Sequence, residues 1–135
     1  MTIKSLHIAI GFGGVVAFLS TGLYMATHFP ALYDGDEVIR HMYRANHVYL
    51  LLGSLINVAI GIYRTDVRPG WRGVFGLVGS ALVLVSPIVL LFAFFFEAPH
   101  ATPERPVTTI GVLMLLVGVL AQWPNRARRV KPDPK

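Results

Sequence analysis

Along this chain the apolar residues do not alternate with polar ones. They gather into four long runs, Leu6 to Met25, about His47 to Tyr63, Gly73 to Phe96 and Val107 to Trp123. Each run approaches the ~20 residues that cross a hydrocarbon core. The pattern predicts an all-α integral membrane four-helix bundle, with residues 1–124 as a single transmembrane domain and 125–135 as a basic tail. Little chain is left over for a soluble domain.

The second run is entered through a polar prelude. Wound at about 100° per residue, Arg40, Tyr43, Arg44, His47, Ser54, Asn57 and Gly61 fall within an arc of roughly 140°. Acyl chains tolerate neither His nor Asn well, so this face is expected to turn toward protein. Asp36, after an Asp-Gly turn, is the expected N-cap of a continuous rod ending near Tyr63. On the first helix, His7, Gly13, Gly14, Ala17, Ser20, Thr21, Tyr24, Met25 and His28 share one side, whose small residues read as a packing surface. His7 reads as a side chain at headgroup level with its polar tip in water. The first helix stops before Pro30. The third helix carries Gly73, Gly76 and Gly79 at spacing three and Ser86-Pro87 deep in the span. A proline there frees a carbonyl one turn earlier, and Asn57 is a polar group able to satisfy it.

Charge orients this framework. With the amino terminus cytoplasmic, the inner side collects Lys4, Arg64, Arg68, Arg72, Arg126, Arg128, Arg129, Lys131 and Lys135, against Arg40, Arg44 and Arg105 outside. That asymmetry puts both termini in the cytoplasm, across an inner or plasma membrane. The net charge of +5 is then a consequence of insertion, and a nucleic-acid partner is not implied. The bilayer is the expected partner, together with other membrane subunits or further copies of the chain. The first run is longer than a signal-peptide h-region and no Ala-x-Ala site follows it, so it reads as a retained helix.

Cysteine is absent, which removes disulfides, thiolate metal sites and covalent c-type haem. No catalytic signature such as Gly-x-Ser-x-Gly or His-Glu-x-x-His occurs, which weighs against an enzyme. Four of the five histidines lie on the outer side, and imidazole binds haem iron, copper and zinc. His28 and His47 are the expected pair, facing one another at similar depth as axial ligands of a b-type haem, with Arg44 suited to a propionate. In layout this resembles the histidine-ligated four-helix membrane cytochromes. A second reading is a quinone or headgroup pocket in which His47 and Asn46 bond a carbonyl and Arg44 supplies charge. A third is a copper or zinc site at His28 and His47, with Met25, His41 and His100 as alternates. The expected outer-face pocket is therefore His28, Arg44, His47 and Asn57, in an accessory or small-ligand-binding subunit. The competing expectation is a structural or assembly protein without a cofactor, in which Asn57 ties helices together.

Overall fold

A computed structural model describes residues 2–29, 31, 35–63, 70–100 and 104–122. The chain forms four helices, α1 (Ile3–His28), α2 (Glu37–Tyr63), α3 (Trp71–Phe96) and α4 (Pro106–Gln122). The first three are long and apolar enough to cross a membrane. The fourth has 17 residues, about 25 Å at 1.5 Å each, short of a ~30 Å core. Pro30, the basic loop at 64–69 and the tail from 123 lie outside the described residues.

The helices run antiparallel in sequence. Their upper end carries the α1–α2 and α3–α4 connections, and their lower end carries the start of α1 and the end of α4. α1 lies mainly on α2 and α4 mainly on α3, with α2 and α3 joining the two hairpins. Among the described residues α1 and α4 do not touch, so the bundle is open along one side.

Glycine sets how closely each hairpin closes. A Cβ on Gly11 would lie 2.8 Å from the Val58 nitrogen and 2.9 Å from the Ser54 carbonyl oxygen. One on Gly79 would meet the Gly118 carbonyl at 2.7 Å, and one on Gly118 the Gly79 carbonyl at 2.8 Å. At these points backbone lies on backbone, the close approach small residues permit between membrane helices. Gly13, expected on the packing stripe, is exposed with nothing within 4 Å of its Cβ position, and Ser20 is exposed as well. The buried stripe of α1 instead follows His7, Gly11, Gly14, Thr21 and Met25. Gly14 fits there because Ser54 fills the space its side chain would take.

α2 begins as its sequence indicates, with Asp36 Oδ1 accepting from the Val38 N–H at 2.8 Å. Its buried residues are Met42, Tyr43, Asn46, Leu50, Gly53, Ser54, Asn57 and Gly61. The protein-facing side is thus rotated from the expected arc, taking in Asn46 and leaving Arg44 exposed. Leu50, Val83 and Leu90, all fully buried, and Leu115, nearly so, form an apolar middle. Above it Met25, Met42, Tyr43, Phe94 and Ala98 make a cluster rich in aromatic edges, Tyr43 and Phe94 meeting edge to face at 5.1 Å.

Candidate functional site

Among the described residues two polar clusters are buried, and neither is the pocket expected from sequence. The lower one joins three helices. His7 is fully buried, and its Nδ1 lies 2.8 Å from Asn57 Oδ1 and its Nε2 3.2 Å from Ser80 Oγ. The Asn57 amide nitrogen donates to the Val83 carbonyl at 2.8 Å and to the Gly53 carbonyl at 2.9 Å. Val83 is four residues before Pro87, so its carbonyl is the one the proline ring leaves without an intrahelical N–H. Asn57 and the Ser86 hydroxyl, at 3.1 Å, answer it. The sequence expectation for Asn57 and Pro87 is met, whereas His7 is far from the water-facing position expected of it.

Donor accounting fixes the His7 tautomer. With both Asn57 amide hydrogens committed to carbonyls, Oδ1 accepts, so His7 Nδ1 carries the proton. Nε2 then presents a lone pair, and the Ser80 hydroxyl donates to it.

The upper cluster surrounds the start of α4. Arg105 stands at the N-cap position and offers no acceptor, leaving the first N–H groups of the helix without a local partner. Glu97, just past the end of α3, supplies it. One carboxylate oxygen accepts from the Val107 N–H at 2.7 Å and the other from the Thr108 N–H at 2.9 Å. Asn46 reaches the same cluster, its amide donating to the Ala93 carbonyl at 3.1 Å and its oxygen accepting from Arg105. Thr108 Oγ1 also hydrogen-bonds Glu97 and lies 2.9 Å from the Asn46 oxygen. One hydroxyl proton serves one acceptor, and because Arg105 donates to Asn46, the Thr108 proton is available to Glu97. Burial pushes the Glu97 carboxyl up, but the Thr108 hydroxyl, the two backbone N–H groups and the Arg105 charge outweigh it and hold the carboxyl below the ordinary range. The sequence signal for this cluster was a helix opened by Arg105-Pro106 with no capping side chain of its own.

The four expected site residues are not brought together. Asn57 serves the lower cluster, ten residues and about 15 Å along α2 from His47. Arg44 is exposed and makes no hydrogen bond or ion pair with a described residue. His28 is exposed at the top of α1, its Nδ1 3.0 Å from the Tyr24 carbonyl and its ring stacked on Tyr24 at 4.5 Å. His47 is half-buried between α1 and α2, its ring stacked on Phe18 at 3.9 Å and its Nδ1 3.0 Å from Thr21 Oγ1. Thr21 is seven residues before His28, an offset of about 10 Å along the helix. His28 and His47 therefore do not sit opposite one another as two axial ligands of one iron. Asn46 also faces away from His47, so the expected carbonyl-binding pair does not form.

His41 and His100 are exposed, and Met25 is buried in the aromatic cluster. Among the described residues no group of three or more His, Cys, Asp or Glu side chains is arranged to hold a metal ion. An open cleft of about 330 Å³ at the upper end is lined by Phe96, Glu97, His100, Glu104, Pro106 and Val107, and includes neither His47 nor Arg44.

One feature of His47 sets it apart from His7. The Thr21 hydroxyl that holds His47 Nδ1 also lies 2.9 Å from the Phe18 carbonyl, the helix-backbone contact that threonines commonly make. No described residue hydrogen-bonds His47 Nε2. Gly22 lies beside it, where a Cβ would stand 3.1 Å from Cε1 and 3.5 Å from Nε2. An imidazole with one nitrogen anchored and the other without a protein partner has the layout of a ligand-binding histidine. Compared with known protein families, characterised proteins and solved structures, the chain matches none.

Proposed function

We propose that this chain is a four-span protein of the inner or plasma membrane, both termini cytoplasmic, acting as an accessory subunit that binds a small lipid-soluble ligand at His47. Three long apolar helices and the uneven distribution of Lys and Arg along the sequence support the topology. α4 crosses as a short span, which local thinning of the bilayer accommodates at modest cost. His47 then lies in the outer half, about 10 Å below the top of α1. The observation that carries the ligand reading is the half-buried His47 ring, one nitrogen held by Thr21 and the other hydrogen-bonded by no described residue.

Haem b and a quinone are the ligands to test first. The separation of His28 from His47 weighs against a haem held by that pair and favours a ligand needing one imidazole. Gentle extraction, a visible spectrum before and after reduction, metal analysis, and mass spectrometry of an organic extract test the reading. Wild-type protein is expected to retain a small molecule that His47→Leu protein loses. Identical extracts with no visible band and no metal would leave the alternative, an assembly protein without a cofactor. That alternative draws support from the pairing within both polar clusters, which accounts for Asn57, His7 and Asn46 without a ligand.

A further inference from the structure

We propose that the groove between α1 and α2 at the level of His47 holds an anionic phospholipid, with its phosphate on Arg44, its glycerol-ester region beside the His47 ring and an acyl chain continuing below. The proposal rests on the reading of His47 as a ligand site and names the class of its occupant.

Two polar groups on one edge of α2 lack a partner among the described residues. Of the arginines toward the upper end, Arg40 lies 2.9 Å from Glu37, and Arg105 is held by Asn46 and Thr108 beside the Glu97 charge. Arg44 is exposed and has neither a hydrogen bond nor an ion pair with a described residue. His47, one turn further down the same edge, has no described partner at Nε2. Contacts lower in the hairpin fix the level of both. Gly14 meets Ser54 and Gly61 meets Ile8, a register that carries Arg44 to the height of Tyr24 and Met25, where the apolar run of α1 ends. A guanidinium at that height lies among headgroups, and its counter-charge comes from the membrane.

Both groups border one strip of the bundle surface. Across it α1 presents small residues, half-buried Gly22 and exposed Ala26 one turn apart, and a Cβ on Gly22 would stand 3.5 Å from His47 Nε2. Below, exposed Leu19 of α1 and exposed Val48 and half-buried Leu51 of α2 give an apolar track into the bilayer. Phosphate accepts paired, charge-assisted hydrogen bonds from a guanidinium. The ester region of the same molecule lies just below its phosphate, as His47 lies below Arg44. Such a lipid answers Nε2 in either tautomer, because an ester carbonyl accepts from an N–H and a glycerol hydroxyl of the headgroup donates to a lone pair. Small-molecule sites enclose most of their ligand's surface. A strip with lipid-facing flanks suits a chain lying along the helices.

The test uses full-length protein in phosphatidylcholine nanodiscs containing a trace of phosphatidylglycerol with a photoreactive diazirine in its acyl chain. A parallel sample carries phosphatidylcholine with the same chain, and peptide mass spectrometry locates the adducts. The phosphatidylglycerol probe is expected to label the segments 15–26 and 47–55 about fivefold more than the phosphatidylcholine probe, the preference one basic residue gives an anionic lipid. Labelling of the lipid-facing side of α4 should differ little between the probes. Arg44→Gln should bring the ratio on α1 and α2 close to one, whereas Arg40→Gln, which removes a guanidinium already on Glu37, should leave it unchanged. Equal labelling by the two probes in wild-type protein, or a preference that survives Arg44→Gln, would overturn the proposal. A haem or quinone retained by wild-type protein and lost in His47→Leu, found together with equal labelling, would overturn the proposal and leave the site reading standing. Equal labelling together with identical extracts from wild-type and His47→Leu protein would remove both.

Discussion

Replacing Asn57 by leucine removes two hydrogen bonds between helices while nearly conserving volume. The amide loses its contacts to the Val83 carbonyl and to His7 Nδ1, both 2.8 Å long. The Val83 carbonyl keeps the Ser86 hydroxyl at 3.1 Å, so the loss falls mainly on the His7 ring. Hydrogen bonds between membrane helices average about 0.6 kcal/mol and reach about 1.7. Two of them put the cost of Asn57→Leu at about 1–2 kcal/mol. His7→Leu should cost a similar amount, because it removes the bonds to Asn57 and Ser80. The double variant is the sharper measurement. Each single change strands a buried polar group that the double change removes, so the double should cost less than the two singles together by about 1 kcal/mol. Reversible unfolding in mixed micelles, titrated with a denaturing detergent, reads all four corners of this cycle. Additivity within about 0.3 kcal/mol would mean the imidazole and the amide do not interact, and the lower cluster would have no claim to join α1, α2 and α3.

Other consequences can be checked in the same system. Gly118→Ala should destabilise by about 1–3 kcal/mol, since its Cβ would lie 2.7 Å from the Val83 Cγ2 and 2.8 Å from the Gly79 carbonyl. Gly13→Ala, with nothing within 4 Å, should be neutral or slightly stabilising in the same unfolding assay. Glu97→Gln should cost about 1–2 kcal/mol at neutral pH by weakening the cap on α4. The Glu97 carboxyl sits lower folded than unfolded. Its stabilisation is therefore present above the unfolded value and lost as pH falls through the folded one. An acid titration of stability should fall more steeply through this window in wild-type protein than in Glu97→Gln, and superimposable curves would contradict the assigned cap.

The four helices were legible because apolar runs are properties of whole segments. The Asp36 cap and the pairing of Asn57 with the carbonyl freed by Pro87 were legible too, since each follows from a local deficit in hydrogen bonding. What escaped was helix rotation. Asn46 and His47 are neighbours about 100° apart on α2, and the first serves α3 and α4 while the second lies on α1. Gly13 and Gly14 divide in the same way, one exposed and one against Ser54. Only the backbone contacts around Gly11 and Gly61 decide which of each pair turns inward. His7 was misjudged for a related reason. Its place near Lys4 at the beginning of a helix reads as interfacial, but the close packing of α1 on α2 turns the ring toward Asn57 and Ser80, where no water reaches it.

The protein answers both ring nitrogens of His7, whereas among the described residues only one nitrogen of His47 has a partner. Diethyl pyrocarbonate acylates an imidazole nitrogen that carries a free lone pair, and peptide mass spectrometry locates the adduct. In detergent-extracted protein stripped of bound small molecules, His47 should be modified, alongside exposed His28, His41 and His100, while His7 stays intact until the protein unfolds. Modification of His7 in the folded state, or a His47 as inert as a buried residue, would contradict the account.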